Sequence, residues 1–449
     1  MNDKQLTLRI ANDEAIRRNN LATKGYFDNP SAIRTVNIEQ EVQILDSDVK
    51  KAGIPVNAEK FLKTNSIGAR PDTSTFIVEY DGSDHPEKIN SKGLKNLAVK
   101  FLNRTIYIQK RIPKNTILVS IGANPVLTED DSDDWLVKTE PKYSRYIQID
   151  SNAFSENPVK STNIVNPLTG KAIKERASSI KGMFRVTGTQ FHISENSVDD
   201  ALDSHRTSIA VAPFMIAAFG NSPFLAGIDT GRNSSRVELL RQTEQLRSGL
   251  PKPANSLLEY YEEILTLNTP FVCTDNPVKA LDEVLSAVHT VSRIRVILNK
   301  SKGVIRNEFR HIDSQSPYKS MQALFLTLGC IEAFRFSDER PSYKESKIDF
   351  QNSVWGLKTK MHWNKKLMTV QELGLYFIEK SLKIFKKIGL YDIVFEYLDP
   401  LKDEIKLGIT QSDFFRKTLN YSMTQGASFK QALNMILKSL NKDALRKII

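Results

Sequence analysis

VNIEQEVQIL, residues 36–45, alternates apolar and polar side chains along its length. In an extended strand successive side chains point to opposite faces. Val36, Ile38, Val42 and Ile44 then share one face, with Gln40 as its polar exception, while Asn37, Glu39, Glu41 and Gln43 share the other. Two carboxylates on one strand face repel unless water or a cation lies between them. Magnesium takes oxygen ligands and is readily shared between carboxylates and phosphates. An amphipathic strand with one solvated face accounts for the same alternation, and the pattern alone leaves both readings open.

Working outward, STFIVEY (74–80) reads as a second strand and carries a third carboxylate, Glu79. TIYIQKR (105–111) and TILVSIGAN (116–124) read as further strands, and residues 155–179, broken by Pro158, Pro167 and Gly170, as a long connection. GTQFHIS (188–194) brings Gln190 and His192 to one strand face. No second histidine stands at HxH or HxxxH spacing, which argues against zinc, yet the ring nitrogen of His192 suits a metal or a nucleotide. The apolar run Ile209 to Phe219 is too short to cross a bilayer and predicts a buried helix, with Pro213 kinking it. GNSPFLAGIDTGRNSSR (220–236) places glycines, hydroxyls, Arg232 and Arg236 at the start of a predicted helix, an arrangement suited to anions; a capped helix with surface arginines accounts for part of it. LFLTLGCIEAFRFSD (324–338) reads as a late strand, followed by lysine-rich helices. Strands mixed with helices without regular alternation predict an α+β fold.

Composition narrows the function classes. The chain has 449 residues, 40% hydrophobic and 26% charged, ordinary for a globular protein. Two cysteines cannot build a disulfide framework, and the N-terminal stretch lacks the apolar core of a signal peptide, so the expected compartment is the cytoplasm. Residues 351–449 hold 17 Lys or Arg against nine Asp or Glu, a surplus of eight out of a formal net charge of +11. Lysines on amphipathic helices read as a solvated face, which argues against nucleic acid as the partner. Neither GxxxxGK[ST] nor GxGxxG occurs, so a nucleotide would have to be held by metal and arginine instead.

Taken in order, these segments resemble the glutamate–cysteine ligase family and its carboxylate–amine ligase relatives. NIEQEVQILD is similar to the family's opening acidic strand and FIVEY to the next one. IGANPVLTED followed by PKYSRY resembles its GxxP segment and basic–Tyr pair, and GTQFHIS its polar strand. AAFGNSPFLAGIDTGRNSSR resembles the NSP…G…TG…S.R signature, and GCIEAFRFSDERP the late acidic–arginine strand. The resemblance implies a glutamine-synthetase-like fold: a curved, mostly antiparallel sheet with flanking helices, here as a catalytic domain over 1–345 with a helical C-terminal region over 346–449. It implies ATP and Mg2+ as cofactors, and small-molecule substrates, an amino-acid donor and an amine acceptor, with cysteine the default acceptor, as in glutathione biosynthesis. It does not fix the oligomeric state, a homo-oligomer included. Glu39, Glu41 and Glu79, with His192, would hold magnesium; Gln190, His192 and Arg236 would bind the nucleotide; Arg236 and Arg335 would be catalytic. One departure stands out. The family separates its late acid and arginine by one residue, whereas Glu332 and Arg335 are separated by two, which favours Arg335 over Glu332 for the site.

Overall fold

The computed structural model describes residues 3–59, 62, 68–128, 131–137, 161–165, 172–176, 184–242, 248–267, 271, 273–298 and 303–444. The alternating stretch forms strand β1 (Thr35–Asp46), the axis of an eight-stranded antiparallel sheet. The other strands are β2 (Ala69–Pro71), β3 (Ile77–Asp81), β4 (Glu87–Lys88), β5 (Thr116–Val119), β6 (Gly188–Glu195), β7 (Ser292–Ile297) and β8 (Val304–Asp313). Their order is β7-β8-β6-β1-β3-β2, with β4 and β5 also pairing with β1.

The apolar face of β1 is fully buried, and the helices that cover it explain why. They include α2 (Ser91–Gln109), which follows α1 (Asp3–Thr23), and α3 (Val198–Phe219). One cluster joins Ile38 and Val42 of β1 to Phe101 of α2, Phe214 of α3 and Leu324 of a later helix. Asn90 caps α2 through Gly93 N, and Ser197 caps α3 through Asp200 N. Pro213 lies inside α3, whose residues from Thr207 to Ala217 are all buried. Further along come α4 (Ser235–Gln242), α5 (Leu257–Thr266), α6 (Pro277–Ser286), α7 (Pro317–Ala333) and α8 (Tyr343–Asn352). The C-terminal helices are α9 (Val370–Lys387), α10 (Tyr391–Leu407), α11 (Gln411–Thr424) and α12 (Phe429–Ala444).

Three expectations need correcting. TIYIQKR is not a strand: it is the end of α2 and the residues just beyond, with Thr105 and Ile108 on the buried helical face and Tyr107 exposed. LFLTLGCIEA is not a strand either. It lies in α7, capped by Ser316 with Pro317 in the first turn and buried continuously from Ser320 to Ile331. A helix buried on all sides shows no amphipathic period, so its apolar run looks like a buried strand. Residues 161–165 and 172–176, expected within a connection, pair as a two-stranded hairpin. The PKYSRY segment lies outside the described residues. Among the described residues no helix is long and apolar enough to cross a membrane.

Candidate active site

Antiparallel pairing carries the polar face of β1 across the sheet. Glu41 lies directly opposite Glu79 of β3, and Glu39 opposite Gln190 of β6. His192 of β6 lies opposite Glu308 of β8, which in turn faces Arg293 of β7; Arg306 faces Arg295. Directly opposed residues share a face. Charge therefore runs in a gradient from carboxylates on β1 and β3 to guanidinium groups on β7 and β8. A cavity of about 380 Å³ covers this face, lined among others by Glu39, Glu41, Glu79, Gln190, His192, Arg236, Arg293, Arg295, Arg306, Glu308 and Arg310.

At the acidic end, Glu39, Glu41 and Glu79 each offer an oxygen, and these atoms lie within 4.8 Å of one another. Burial and the charge of Asp72 push Glu41 up to about 7, against the pull of Arg236 and Arg310. Burial and the charge of Glu39 drive Glu79 well above the carboxylate range, although Arg70 pairs with it. Glu39 goes the other way. Burial opposes its ionisation, but His192, whose Nε2 stands 3.3 Å from Oε2, more than offsets this and lowers it. Three crowded carboxylates that cannot all ionise unaided form an all-oxygen donor set of the kind a hard divalent cation takes. Glu41 is also aimed by the protein: it accepts from Gly188 N at 2.7 Å and from Gln190 Nε2 at 2.9 Å.

At the basic end, Glu308 is buried among arginines, pairing with Arg293 at 2.6 Å, Arg310 at 2.8 Å and Arg295 at 3.5 Å. Burial alone would raise its pKa, yet Arg293 and Arg310 hold it well below the usual range. One carboxylate thus orders three guanidinium groups along the wall. A register shift after Phe309 lets Arg310 line the cavity while both Phe309 and Ile312 stay in the core.

Arg236 reaches the same cavity from the first turn of α4. It is 5% exposed; Nη2 donates to Arg310 O at 3.2 Å, and Nε and Nη1 have no hydrogen-bond partner among the described residues. The loop before it is tied to the end of β8: Asp313 accepts from Ser222 Oγ at 2.6 Å, Ser234 Oγ at 2.7 Å and Asn221 N at 3.0 Å.

Of the residues singled out in the sequence, the structure brings Glu39, Glu41, Glu79, Gln190, His192 and Arg236 to one cavity. Arg335 is not among its lining residues. It follows the end of α7 and pairs with Asp200 at 2.6 Å, Glu332 at 3.3 Å and Glu195 at 3.5 Å. The acid and arginine separated by one residue are instead Glu308 and Arg310 of β8. The signal was present: SRIRVI (292–297) and VIRNEFRHI (304–312) put charged residues at every second position, Arg293 and Arg295 in one and Arg306, Glu308 and Arg310 in the other, the period of a strand. Arg70 and Asp72, beside the acidic end, carried no comparable pattern.

Comparison with known proteins shows the family and the fold. Residues 118–427 match glutamate–cysteine ligase family 2, and the chain belongs to that family. A Rubrobacter xylanophilus protein provisionally named glutamate–cysteine ligase 2-1 is 27% identical over 156 residues, 34% of this chain and 36% of that one. The match thus spans about a third of that relative's length. The crystal structure of the Francisella tularensis glutamate–cysteine ligase in complex with AMP superposes with a TM-score of 0.59 at 12% identity, covering 94% of this chain and 91% of that chain. A bifunctional glutathione synthetase from Pasteurella multocida gives a TM-score of 0.52 at 12% identity, over 96% of this chain and 54% of the other. The fold is the glutamine-synthetase-like α+β type. The family match begins after β3, so the convergence of Glu39, Glu41 and Glu79 rests on the sheet geometry itself.

Proposed function

We propose that the chain is an ATP- and magnesium-dependent carboxylate–amine ligase of the cytoplasm. It would join the γ-carboxylate of glutamate to an amine, cysteine by default, through an acyl phosphate. The observation that carries this reading is the bipolar cavity, with three converging carboxylates at one end and a bank of ordered arginines at the other.

A carboxylate is a poor electrophile, and phosphorylation by ATP makes it a good one. The donor oxygen attacks the γ-phosphorus and ADP leaves; the amine nitrogen then attacks the carbonyl carbon, and phosphate leaves with the amine's proton. Such chemistry asks for position and charge neutralisation more than for a nucleophilic side chain. Glu39, Glu41 and Glu79, with His192 beside them, would hold magnesium, which neutralises phosphate charge. Arg236, with two nitrogens that have no partner among the described residues, and Arg310 would grip the transferring phosphoryl group or the donor carboxylate. Arg293, Arg295 and Arg306 would carry the remaining phosphates.

The test is an ADP-release screen with magnesium and ATP, crossing amino acids with amines, and mass spectrometry of the product. An amide of glutamate supports the reading. A phosphorylated amine without an amide would make the protein a phosphotransferase, and no nucleotide turnover with any pair would refute the ligase.

A further inference from the structure

Asp313 holds the loop that carries Arg236 from the side of the sheet; the C-terminal helices hold it from the other side. We propose that Arg416, on α11, is a positioning residue for Arg236: it braces the 229–235 loop, so that the basic C-terminal region governs anion capture in a cavity it does not line. This rests on Arg236 being an anion-binding group of the proposed site.

The contacts are dense. The Nε of Arg416 stands 2.9 and 3.1 Å from the two carboxylate oxygens of Asp229, Nη1 donates to Asn233 Oδ1 at 2.7 Å, and Nη2 donates to Arg232 O. Every nitrogen of one guanidinium is thus spent on a five-residue stretch of loop. Asn233 is locked in turn. Its N donates to Val354 O at 2.6 Å, its Nδ2 to Thr410 Oγ1 at 2.8 Å, and its O accepts from Ser412 Oγ at 2.7 Å. Gly356, at φ 75°, lets the chain pass close beside it: a Cβ there would lie 1.9 Å from Asn233 Nδ2. Three residues beyond Asn233, Arg236 enters the cavity. A planar fork that meets an aspartate, an amide and a carbonyl together fixes orientation as well as distance, which a lysine could not do. A misplacement of Arg236 by about 1 Å is enough to cost on the order of 100-fold in a step that depends on its position.

The test uses the full chain. Magnesium–ATP affinity is measured by calorimetry for the wild type, Arg416→Gln, Arg416→Lys, Arg236→Gln and the Arg416→Gln/Arg236→Gln double variant, with amide hydrogen exchange followed over residues 229–236. Arg416→Gln is expected to weaken nucleotide binding at least about tenfold and to speed exchange in the loop without changing it in β6, with Arg416→Lys in between. In the Arg236→Gln background the same substitution is expected to cost less than about twofold, because the residue it acts through is gone. An equal loss in both backgrounds would reduce Arg416 to a general stabiliser and overturn the proposal, as would unchanged exchange at 229–236. If Arg416→Gln does not fold, Arg416→Lys carries the same comparisons. If the wild type binds no nucleotide, the ligase reading falls, and the bracing is judged by exchange alone.

Discussion

Glu41 stands where the acidic end of the cavity meets Arg236, and its behaviour separates a metal site from a merely wet strand face. Its pKa of about 7 reflects burial beside other carboxylates, so neutralising it should relieve repulsion. Glu41→Gln keeps shape but removes a charged ligand, and its new amide N–H is satisfied once Gln190 turns its Oε1 toward it, while the remaining oxygen accepts from Gly188 N. Magnesium-dependent ADP release should fall by at least about 100-fold, while thermal stability holds or rises. Turnover within about twofold of the wild type would take Glu41 out of the site. A second residue-scale prediction concerns His205 of α3, buried and bonded through Nδ1 to Ser292 Oγ at 2.9 Å. Burial lowers it to about 4, and His311, also buried, to about 3. A base whose folded pKa lies below its unfolded value is neutral in the fold, so its contribution is fully present above about pH 6.5 and is lost as pH falls below that. Between pH 7 and 5 His205 alone should cost about 2 kcal/mol. The raised carboxylates Glu41 and Glu195 act in the opposite direction, so the comparison must be differential. Denaturant unfolding of His205→Asn at the two pH values should show a loss smaller by about 2 kcal/mol than in the wild type; an identical loss would mean that the histidine is not held neutral.

At the scale of elements, the spacing between β6 and α4 sets the reach of Arg236. Gly188, at the start of β6, lies under its guanidinium: a Cβ there would stand 2.5 Å from Nη2 and 2.9 Å from Cζ. Gly188→Ala should therefore push Arg236 off its position and weaken nucleotide binding by about tenfold or more, with a change in melting temperature of only a few degrees. Unchanged affinity would show that Arg236 has slack, and its role as a fixed anion grip would fail. The same elements mark how far the sequence could be read. β1 was legible because its sequence alternates although both of its faces are largely buried: one packs on the core, and the other delivers both glutamates to the cavity. α7 was not, because it is buried all round and its composition hides the helical period. That error displaced the late acid–arginine pair from β8 to the end of α7, where Arg335 closes a local ion-pair network. Glu308 and Arg310 sit in a strand that places charge at every second position, but what makes them a site is the register that sets Glu308 across from His192 and Arg293 and the shift after Phe309 beside Arg310. Register is a long-range property, and the chain does not announce it locally.

For the whole molecule, the question is whether the basic C-terminal helices are an accessory to the ligase core or part of it. One hydrophobic cluster runs from β1 through α2, α3 and α7 into α9 and α10 without a break. Leu373, Phe377 and Ile378 of α9 and Val394, Leu398 and Leu401 of α10 are all buried in it. At about 1.5–3 kcal/mol for each buried side chain, these six account for roughly 9 kcal/mol at the low end. That is comparable to the whole net stability of a typical domain, about 5–15 kcal/mol. Only six of the region's 17 lysines and arginines lie on α9 and α10, against seven acidic residues, so the positive surplus sits on the segments around these two helices and not on the wall of the core itself. A chain ending at Pro341 should therefore fail to fold: it should be insoluble, or expose enough apolar surface to bind a hydrophobic dye, with no cooperative melting transition. A truncated chain that melted cooperatively and still bound magnesium–ATP would show that residues 3–341 form a self-sufficient unit. The brace on Arg236 and the shared core would then both be dispensable.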